Sequence, residues 1–466
     1  MFIVGGNQSA GGYEIANSLR FDDASVDYLS RTPSSAGSNR KFTFSAWVKR
    51  SHPSNEITMV SQNNSANSAR DCIRFNGGDQ ILRIFLNDAS TASFASNSQY
   101  RDVSAWYHVV VNADTTQATA SNRLKAWING EQVTSWSIET YPSLNANLLF
   151  NSDNLMYIGR DSKDNNTEWE GYMAEIFFID GTAYDETNFG EFDEDSGVWK
   201  PIDVSGLTFG TNGFYLPFEN SAALGQDDSG NGNNFTVNNL TSIDQTTDTP
   251  TNNSATLNPL DFGKIAPAFS NGNLQYVSSG SGVGANSANR ATFGFSTGKW
   301  YWELKRNDND AGYFGATNSD IATWFNSNGA LSGGFYGVTA SGDKFVNGSL
   351  TSSVFSAMSS GDIGMFAYDL DNNYFYFGVN GTWVTSGDPE SGSSGTGALG
   401  TLASGTYQPS LCNGNYSVST DMSLNFGNPP FTISSGNSDA NGYGNFEYSV
   451  PSGYYALNTK NLAEYG

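Results

Sequence analysis

The most regular pattern of apolar and polar positions lies between residues 373 and 384, which read NYFYFGVNGTWV. Two tyrosines alternate with two phenylalanines and a valine, a period of two that predicts a β-strand with both faces covered. Asn380-Gly381 follows at once, and both residues tolerate the positive φ of a tight type I′ hairpin turn. Residues 123–133, RLKAWINGEQV, repeat the arrangement with a second Asn-Gly turn. Two such hairpins, so far apart in the chain, predict two β domains.

The period of two recurs along the chain, whereas long stretches with a period of 3.6 residues are absent. Clear examples are KFTFSAWVKR at 41–50, AWYHVVV at 105–111 and KWYWELKR at 299–306. Turn-forming residues are abundant, with 51 glycines among 466 residues. These features predict an all-β protein, and its length is too great for one ordinary core.

Residues 18–190 resemble a laminin-G-like, or concanavalin-A-like, jelly roll. The motifs that carry the resemblance are SLRFDD, FTFSAWVK, WYHVVV followed by RLKAWING, and EGYMAEIFFIDGTAY. A further motif of that family, DDSGNGNNFTV at 227–237, usually stands near the start of the domain but here follows the closing strand. We therefore hypothesise a permuted order in which Gly213–Asn239 folds back to complete the first sandwich. The resemblance implies two antiparallel sheets packed face to face.

Residues 274–431 resemble a SPRY domain in the order of their motifs. These include GKWYWEL, YFGA, YQPS and LNFGNPPF, and the most specific is the stretch 361–381, GDIGMFAYDLDNNYFYFGVNG. SPRY domains are two-sheet β-sandwiches that act as binding modules. The resemblance therefore implies a second sandwich and a role in recognition.

The predicted fold is all-β, with two antiparallel β-sandwich (jelly-roll) domains in series. Residues 241–259 have almost no large apolar side chains and contain two prolines, which is typical of a linker. Residues 1–17 are glycine-rich and weakly patterned, so they form either a frayed end or an anchor on a neighbour. We predict an N-terminal arm over 1–17, a laminin-G-like jelly roll over 18–240, a linker over 241–262, a SPRY-like sandwich over 263–435 and a C-terminal tail over 436–466.

The chain is strongly acidic, with 46 acidic and 22 basic side chains and a formal net charge of −24. Such a surface repels phosphate backbones and disfavours anionic membranes, so we expect no nucleic-acid partner. No stretch of about 20 apolar residues is present, and the N-terminus lacks the basic region of a signal peptide. We expect synthesis in a cytoplasm, without membrane insertion. Cys72 and Cys412 are too few for a disulfide framework and predict buried free thiols.

Patterns typical of catalysis are weak, and we assign no catalytic residue. His108 lies in a predicted strand, His52 lies in a predicted solvated loop, and neither has a local partner typical of a Ser-His-Asp triad. The enzyme alternative rests on Glu168, Glu170 and Glu175, because a glycan hydrolase needs two carboxylates facing one cleft. Glu168 and Glu170 would share a face by the period of two. We favour the interpretation that all three belong to an ordinary closing strand.

Several acidic loops are compatible with a structural calcium ion. We assign no metal ligands and predict no other cofactor. Asp369, Asp371 and Asn373 have the alternating oxygen ligands that begin some calcium loops. Residues 193–195 and 227–228 suggest the same chemistry. A tight turn between strands explains these residues equally well.

Aromatic residues between the predicted SPRY strands are the weak candidates for ligand binding. Trp324 and Phe325, in DIATWFN, and Tyr336, in GGFYG, could stack on a sugar. Loops on a rigid sandwich are common recognition sites. Because aromatics are abundant here, each of these residues is also explained as a cover for the core.

The arrangement of a laminin-G-like domain, a SPRY-like domain and the final PSGYYALNTKNL resembles virion-associated proteins of tailed marine and cyanobacterial phages. The resemblance implies a non-enzymatic virion protein, a tail fibre or surface appendage that recognises a host glycan or protein. Its partners would be other virion proteins and further copies of itself. The alternatives are a capsid decoration or connector protein, a bacterial surface adhesin and a glycan hydrolase of concanavalin-A-like fold.

Overall fold

A computed structural model describes residues 12–52, 54–164, 166–263, 265–278, 287–320, 333–413 and 419–466. The chain divides into two compact units between Thr251 and Asn252. Strands dominate both units, so the protein is all-β, as the period-two patterns predict. Within the described ranges, no helix is long and apolar enough to cross a membrane.

The first unit consists of short strands joined by turns and loops. The strands are β1 (Ser18–Phe21), β2 (Tyr28–Arg31), β3 (Lys41–Arg50), β4 (Ile57–Asn63), β5 (Arg70–Phe75), β6 (Ile81–Leu86), β7 (Ala92–Gln99), β8 (Tyr107–Asp114), β9 (Leu124–Ile128), β10 (Glu131–Gln132), β11 (Trp136–Thr140), β12 (Met156–Ile158), β13 (Gly171–Asp180), β14 (Gly190–Phe192), β15 (Trp199–Pro201), β16 (Phe214–Leu216), β17 (Thr236–Asn238) and β18 (Gln245–Thr246). Short 3-10 helices occupy Ala120–Asn122, Glu186–Asn188 and Ser242–Asp244.

Two antiparallel sheets enclose the core of the first unit. Sheet 1 has the order β10-β9-β8-β3-β13-β1-β18, with β16 also paired to β13. Sheet 2 has the order β11-β7-β6-β5-β4-β12-β2-β17. Alternate residues of a strand point to the same face, so Phe44 and Val111 of sheet 1 share one buried cluster with Ile73 and Ile84 of sheet 2. The first unit is therefore a two-layer β-sandwich.

Gly213–Asn239 folds back and completes the first sandwich, as the sequence hypothesis expects. β16 pairs with β13 in sheet 1, and β17 pairs with β2 at the edge of sheet 2. Phe214, Leu216 and Phe235 are buried in the same core as the strands of residues 18–190.

The second unit has the same kind of architecture. Its elements are β19 (Leu257–Phe262), β20 (Ala268–Ser270), β21 (Gln275–Ser278), β22 (Ala288–Ala291), β23 (Lys299–Arg306), β24 (Gly312–Asn318), β25 (Phe335–Thr339), β26 (Lys344–Val346), β27 (Ser349–Thr351), β28 (Ile363–Asp369), β29 (Tyr374–Val379), β30 (Thr382–Trp383), β31 (Gly400–Thr401), β32 (Tyr407–Asn413), β33 (Thr420–Asn425), β34 (Tyr455–Ala456) and the helix α1 (Thr459–Tyr465). Short 3-10 helices occupy Val384–Ser386 and Pro389–Ser394.

Sheets 3 and 4 form the second sandwich. Sheet 3 has the order β19-β22-β32-β24-β25-β26-β27, and sheet 4 has the order β20-β21-β33-β23-β28-β29-β30. In sheet 4, β31 also pairs with β29, and β34 pairs with β23. The predicted hairpin is β29 and β30, and Asn380 and Gly381 have φ values of 49° and 83°, as a type I′ turn requires.

The segment 241–262, predicted as a linker, instead contributes strands to both units. β18 pairs with β1, and the Asp248 carboxylate is fully buried and accepts a hydrogen bond from Lys49 Nζ at 2.9 Å. Ala255 and Leu257 lie in the core of the second unit. The prediction failed because small polar residues are buried here by pairing with specific donors, which hydrophobicity does not register.

Residues 436–466, predicted as a tail, belong to the second unit. β34 pairs in parallel with β23, and Phe446 and Tyr454 pack against Tyr301 of that strand. The buried Asp439 carboxylate accepts backbone N–H groups of Tyr443 and Ala456 at 2.9 Å each. Hydrogen bonds of this kind hold an irregular segment without a periodic apolar pattern.

Most of the predicted N-terminal arm, residues 1–11, lies outside the described residues. The part that is described packs on the first unit. Ile15 is buried and its N–H donates to Thr251 Oγ1 at 3.1 Å. The Tyr13 hydroxyl donates to the Glu175 carboxylate at 3.1 Å.

Candidate functional site

A cleft lies in the first sandwich where edge strands of its two sheets come together. β10 ends sheet 1 and β11 ends sheet 2, and the two strands follow each other in the chain. The cleft has a volume of about 320 Å³. We call it the edge cleft, and it is lined by Ser121, Asn122, Leu124, Lys125, Gln132, Val133, Thr134, Trp136, Glu139 and Tyr141.

Two half-buried aromatic side chains, Trp136 and Tyr141, give the edge cleft an apolar surface. Both rings pack edge-on against the buried Phe94, with centroid distances of 5.2 Å for Trp136 and 5.0 Å for Tyr141. Edge-to-face packing of this kind fixes the orientation of a ring. Because Phe94 belongs to the core of the sandwich, the cleft presents both rings in set positions.

The Tyr141 hydroxyl and the Glu139 carboxylate form one polar group beside these rings. The hydroxyl donates to Glu139 Oε1 at 2.6 Å. Burial, together with this hydrogen bond, raises the pKa of Tyr141 to about 12, so the hydroxyl keeps its proton at neutral pH. The Glu139 side chain is exposed, which leaves its second carboxylate oxygen accessible to a ligand.

The remaining polar side chains of the edge cleft are free of hydrogen bonds to the described part of the chain. They are Ser121, Asn122, Lys125, Gln132 and Thr134. By contrast, Arg123 beside them donates to the carbonyls of Gln117, Ala118 and Pro142, which fixes the adjacent loop. The cleft therefore combines a fixed apolar surface with one carboxylate, which is bonded to Tyr141, and with hydroxyl, amide and ammonium groups that make no hydrogen bond within the described part of the chain.

Tyr336, predicted as an exposed aromatic for sugar stacking, is a core residue of the second unit. It lies in β25 with 2% of its surface exposed, and its ring packs edge-on against Tyr407 and Phe375. A buried ring cannot stack on a sugar, which corrects the prediction. The cause is the pairing of β25 with β24 and β26, which extends through the position taken as a loop. Trp324 and Phe325 lie outside the described residues.

His108 is a structural residue, as its position in a strand predicts. Its Nε2 lies 2.8 Å from Ser45 Oγ, which brings a serine and a histidine together as in a catalytic dyad. Its Nδ1 accepts the indole N–H of Trp199 at 2.9 Å, so no carboxylate orients the ring. The ring is buried, and burial lowers its pKa to about 3. A fully buried, neutral imidazole with both nitrogens occupied cannot reach a substrate.

The other histidine and the two cysteines are also without a catalytic environment. His52, predicted to be solvated, is half-buried, and burial lowers its pKa. Cys72 and Cys412 are buried free thiols, as predicted. Burial raises the pKa of Cys72 to about 12, so its reactive thiolate form is suppressed at neutral pH.

Glu168 and Glu170 do not share a strand face, because β13 begins only at Gly171. Glu168 pairs with Arg160 at 3.1 Å, whereas Glu170 is 1% exposed and burial raises its pKa. Neither lines the edge cleft. These two residues therefore lack the shared, accessible cleft that glycoside hydrolysis requires.

In each acidic loop considered for calcium, a carboxylate already pairs with a lysine or accepts hydrogen bonds from the protein itself. Asp369 pairs with Lys299 at 3.0 Å, and Asp193 pairs with Lys200 at 3.0 Å. Asp227 accepts the backbone N–H groups of Tyr215 and Ser229. In the described part of the chain, no group of three or more acidic, histidine or cysteine side chains has an arrangement suited to a metal.

Sequence comparison places the edge cleft within a recognised domain. Residues 23–183 match the model of the concanavalin A-like lectin/glucanases superfamily, Laminin_G_3. This part of the first unit is therefore similar to the concanavalin A-like superfamily, in agreement with the motifs of residues 18–190. The match covers about a third of the chain and includes every residue that lines the edge cleft. No curated protein sequence matches the chain.

Three solved structures have some similarity to parts of the chain. The SPRY domain of human HERC1 is 16% identical, with a TM-score of 0.29, over 36% of this chain and 96% of that chain. A protein of Bacteroides ovatus described as a putative carbohydrate binding protein is 15% identical, with a TM-score of 0.33, over 48% of this chain and 59% of that chain. The heptameric SAP-like pentraxin of Limulus polyphemus is 14% identical, with a TM-score of 0.28, over 37% of this chain and 80% of that chain. Scores this low do not bear on function.

Proposed function

We propose that this protein is a non-enzymatic binding protein whose first sandwich recognises carbohydrate in the edge cleft. The observation that carries the proposal is the pair of fixed, half-buried rings, Trp136 and Tyr141, beside amide and hydroxyl side chains that make no hydrogen bond to the described residues. A sugar ring presents C–H groups on its faces and hydroxyls around its edge. It would lie against the aromatic rings and exchange hydrogen bonds with the amides and carboxylate at the rim.

A glycan array followed by calorimetric titration of the best ligand tests the proposal. Trp136→Ala removes the larger ring, and we expect at least about a tenfold loss of affinity. Phe192→Ala is a matched control, because Phe192 is another aromatic of the same unit and is 45% exposed. Equal affinities for both variants and the unaltered protein would refute the edge cleft as the site. Incubating the ligand with the protein and looking for shorter products tests whether the protein is an enzyme.

We further propose that the protein is a structural component of a tailed-phage virion, a tail fibre or surface appendage. The support is the resemblance in domain arrangement, and many copies on one particle would convert weak contacts into avidity. Its location would be the virion, and its partners other virion proteins, its own copies and a host-surface glycan or receptor. Labelled antibody imaged on intact particles would distinguish an appendage from capsid decoration. Absence of the protein from purified particles would contradict both.

A further inference from the structure

The outer face of sheet 2 carries two arginines directly opposite each other. Arg74 of β5 is the register partner of Arg83 of β6. Their neighbours along the two strands point into the core, which places both arginines on the opposite face. Those buried neighbours are Ile73, Phe75, Leu82 and Ile84. Like charges at directly opposed positions of a sheet repel each other, so this pair needs compensation.

Of the two arginines, Arg74 alone forms an ion pair with a carboxylate of the described residues. Arg74 pairs with Glu56 at 2.5 Å, and its guanidinium lies over the Phe85 ring at 4.9 Å. Its Nε–H has no acceptor among the described residues. Arg83 donates to the carbonyl of Phe94 at 3.1 Å and forms no ion pair within the described part of the chain. Burial and the Arg74 charge lower the pKa of Arg83, and the more distant carboxylates of Asp79 and Glu56 offset this only in part.

A neighbouring arginine on the same face shows how this protein neutralises a guanidinium fully. Arg70 also lies over the Phe85 ring, at 4.9 Å. It contacts three carboxylates, at 2.5 Å for Asp161, 2.9 Å for Asp88 and 3.1 Å for Asp164. The chain has 46 acidic and only 22 basic side chains, so carboxylates are not scarce. The lack of an ion pair at Arg83 is therefore a local property of this face.

The residues that lie opposite the two arginines on the next strands of sheet 2 lead to an exposed apolar side chain at the edge of the sheet. Ala95 of β7 is the register partner of Arg83, and Ile138 of β11 is the register partner of Ala95. Ile138 is 44% exposed. Ala95 itself is 2% exposed, so a ligand with one anionic group and an apolar body could place the anion between the arginines and the end of its body against Ile138.

We propose that Arg74 and Arg83 bind the carboxylate or sulfate group of an acidic saccharide. Glu56 is 38% exposed and would leave Arg74 as the anion enters, so that two guanidiniums share one anion. This site is separate from the edge cleft, because neither arginine lines the cleft. The inference therefore stands whether or not the edge cleft binds sugar.

Titration of the full chain with a sulfated oligosaccharide, an oligouronate and a neutral oligosaccharide of the same length tests the proposal. We expect the acidic ligands to bind and the neutral one not to bind at this face. Arg83→Gln should weaken acidic binding about tenfold. Arg40→Gln is the matched control, because it changes the net charge equally at an exposed arginine of the same unit. The two acidic ligands show whether sulfate or carboxylate is preferred.

Glu56→Gln supplies a test that misfolding cannot imitate. It removes the competing carboxylate and should strengthen acidic binding several-fold, opposite to Arg83→Gln. Trp136→Ala should leave acidic binding unchanged, which separates this site from the edge cleft. The proposal is overturned if Arg83→Gln and Arg40→Gln bind acidic ligands equally, or if Glu56→Gln weakens that binding.

Discussion

Glu175 makes the stability of the first unit depend on pH. The side chain is 4% exposed and accepts hydrogen bonds from Tyr215 at 2.7 Å and Tyr13 at 3.1 Å. It lies at a bulge in β13, where the register with β3 shifts between Ala174 and Phe177 and φ of Glu175 is 50°. The bulge turns a carboxyl group away from the core face that it would otherwise share with its strand neighbours.

Burial raises the pKa of Glu175 from 4.5 to about 7, and this shift sets the size of the effect. Between these values the folded state holds a proton that the unfolded state has released. The contribution to stability is therefore complete below pH 4.5 and is lost as the pH rises through 7. A shift of about 2.5 pKa units corresponds to about 3 kcal/mol, because one unit is worth about 1.4 kcal/mol.

Urea unfolding of the full chain and of Glu175→Gln, measured at several pH values, isolates this effect. Subtracting one free energy of unfolding from the other cancels groups that titrate in both proteins. We expect the advantage of the unaltered protein over the variant to fall by about 3 kcal/mol between pH 4.5 and pH 8. Glu194→Gln, at an exposed carboxylate of the same unit, is the control and should give a constant difference. A constant difference for Glu175→Gln as well would refute the assigned pKa shift.

Three further predictions concern stability. His108→Ala should cost about 1–3 kcal/mol by leaving the buried indole N–H of Trp199 without its acceptor. Because the pKa of His108 is lowered in the folded state, the stability that His108 contributes should decrease as the pH falls below 6.5, whereas that of Glu175 decreases as the pH rises. Free energies of unfolding of the unaltered protein and of His108→Ala, measured over a range of pH, would test this. Glu303→Ala should lower the melting temperature of the second unit in calorimetry, because two backbone N–H groups of residues 447–448 lose their buried acceptor. A chain ended at Gly206 lacks β16 and β17 and should aggregate in size-exclusion chromatography, whereas the full chain should not.

The strands and hairpins were predictable because their signals are local. Asn380-Gly381 and the alternation before it specify a hairpin without knowledge of the rest of the chain. The return of Gly213–Asn239 to the first sandwich was predictable from a motif out of its usual order. The strands within 241–262 were not, because Asp248 and Thr251 are buried through hydrogen bonds to residues more than 100 positions away.

The edge cleft was not predicted, although its residues are plain in the sequence. Trp136 and Tyr141 stand five positions apart in WSIETY, directly after the hairpin of residues 123–133. That stretch lacks a strong strand pattern, so nothing local shows that it forms the last strand of sheet 2. Whether an aromatic ring faces the core or a cleft depends on register with β7, and register is a long-range property. Tyr336 was misjudged for the same reason.

The net charge of the whole chain does not predict the charge of each surface of this protein. Many of the 46 acidic side chains act inside the fold as acceptors for backbone N–H groups, as Glu303 and Asp439 do. Those carboxylates contribute to the formal charge of −24 but do not cover the surface. The outer face of sheet 2 can therefore hold Arg74 and Arg83 side by side, although only Arg74 forms an ion pair, with Glu56, among the described residues. Our expectation that a long polyanion such as nucleic acid does not bind depends on the electrostatic field of the whole molecule. A single sulfate or carboxylate group responds instead to the charges within a few ångströms of it.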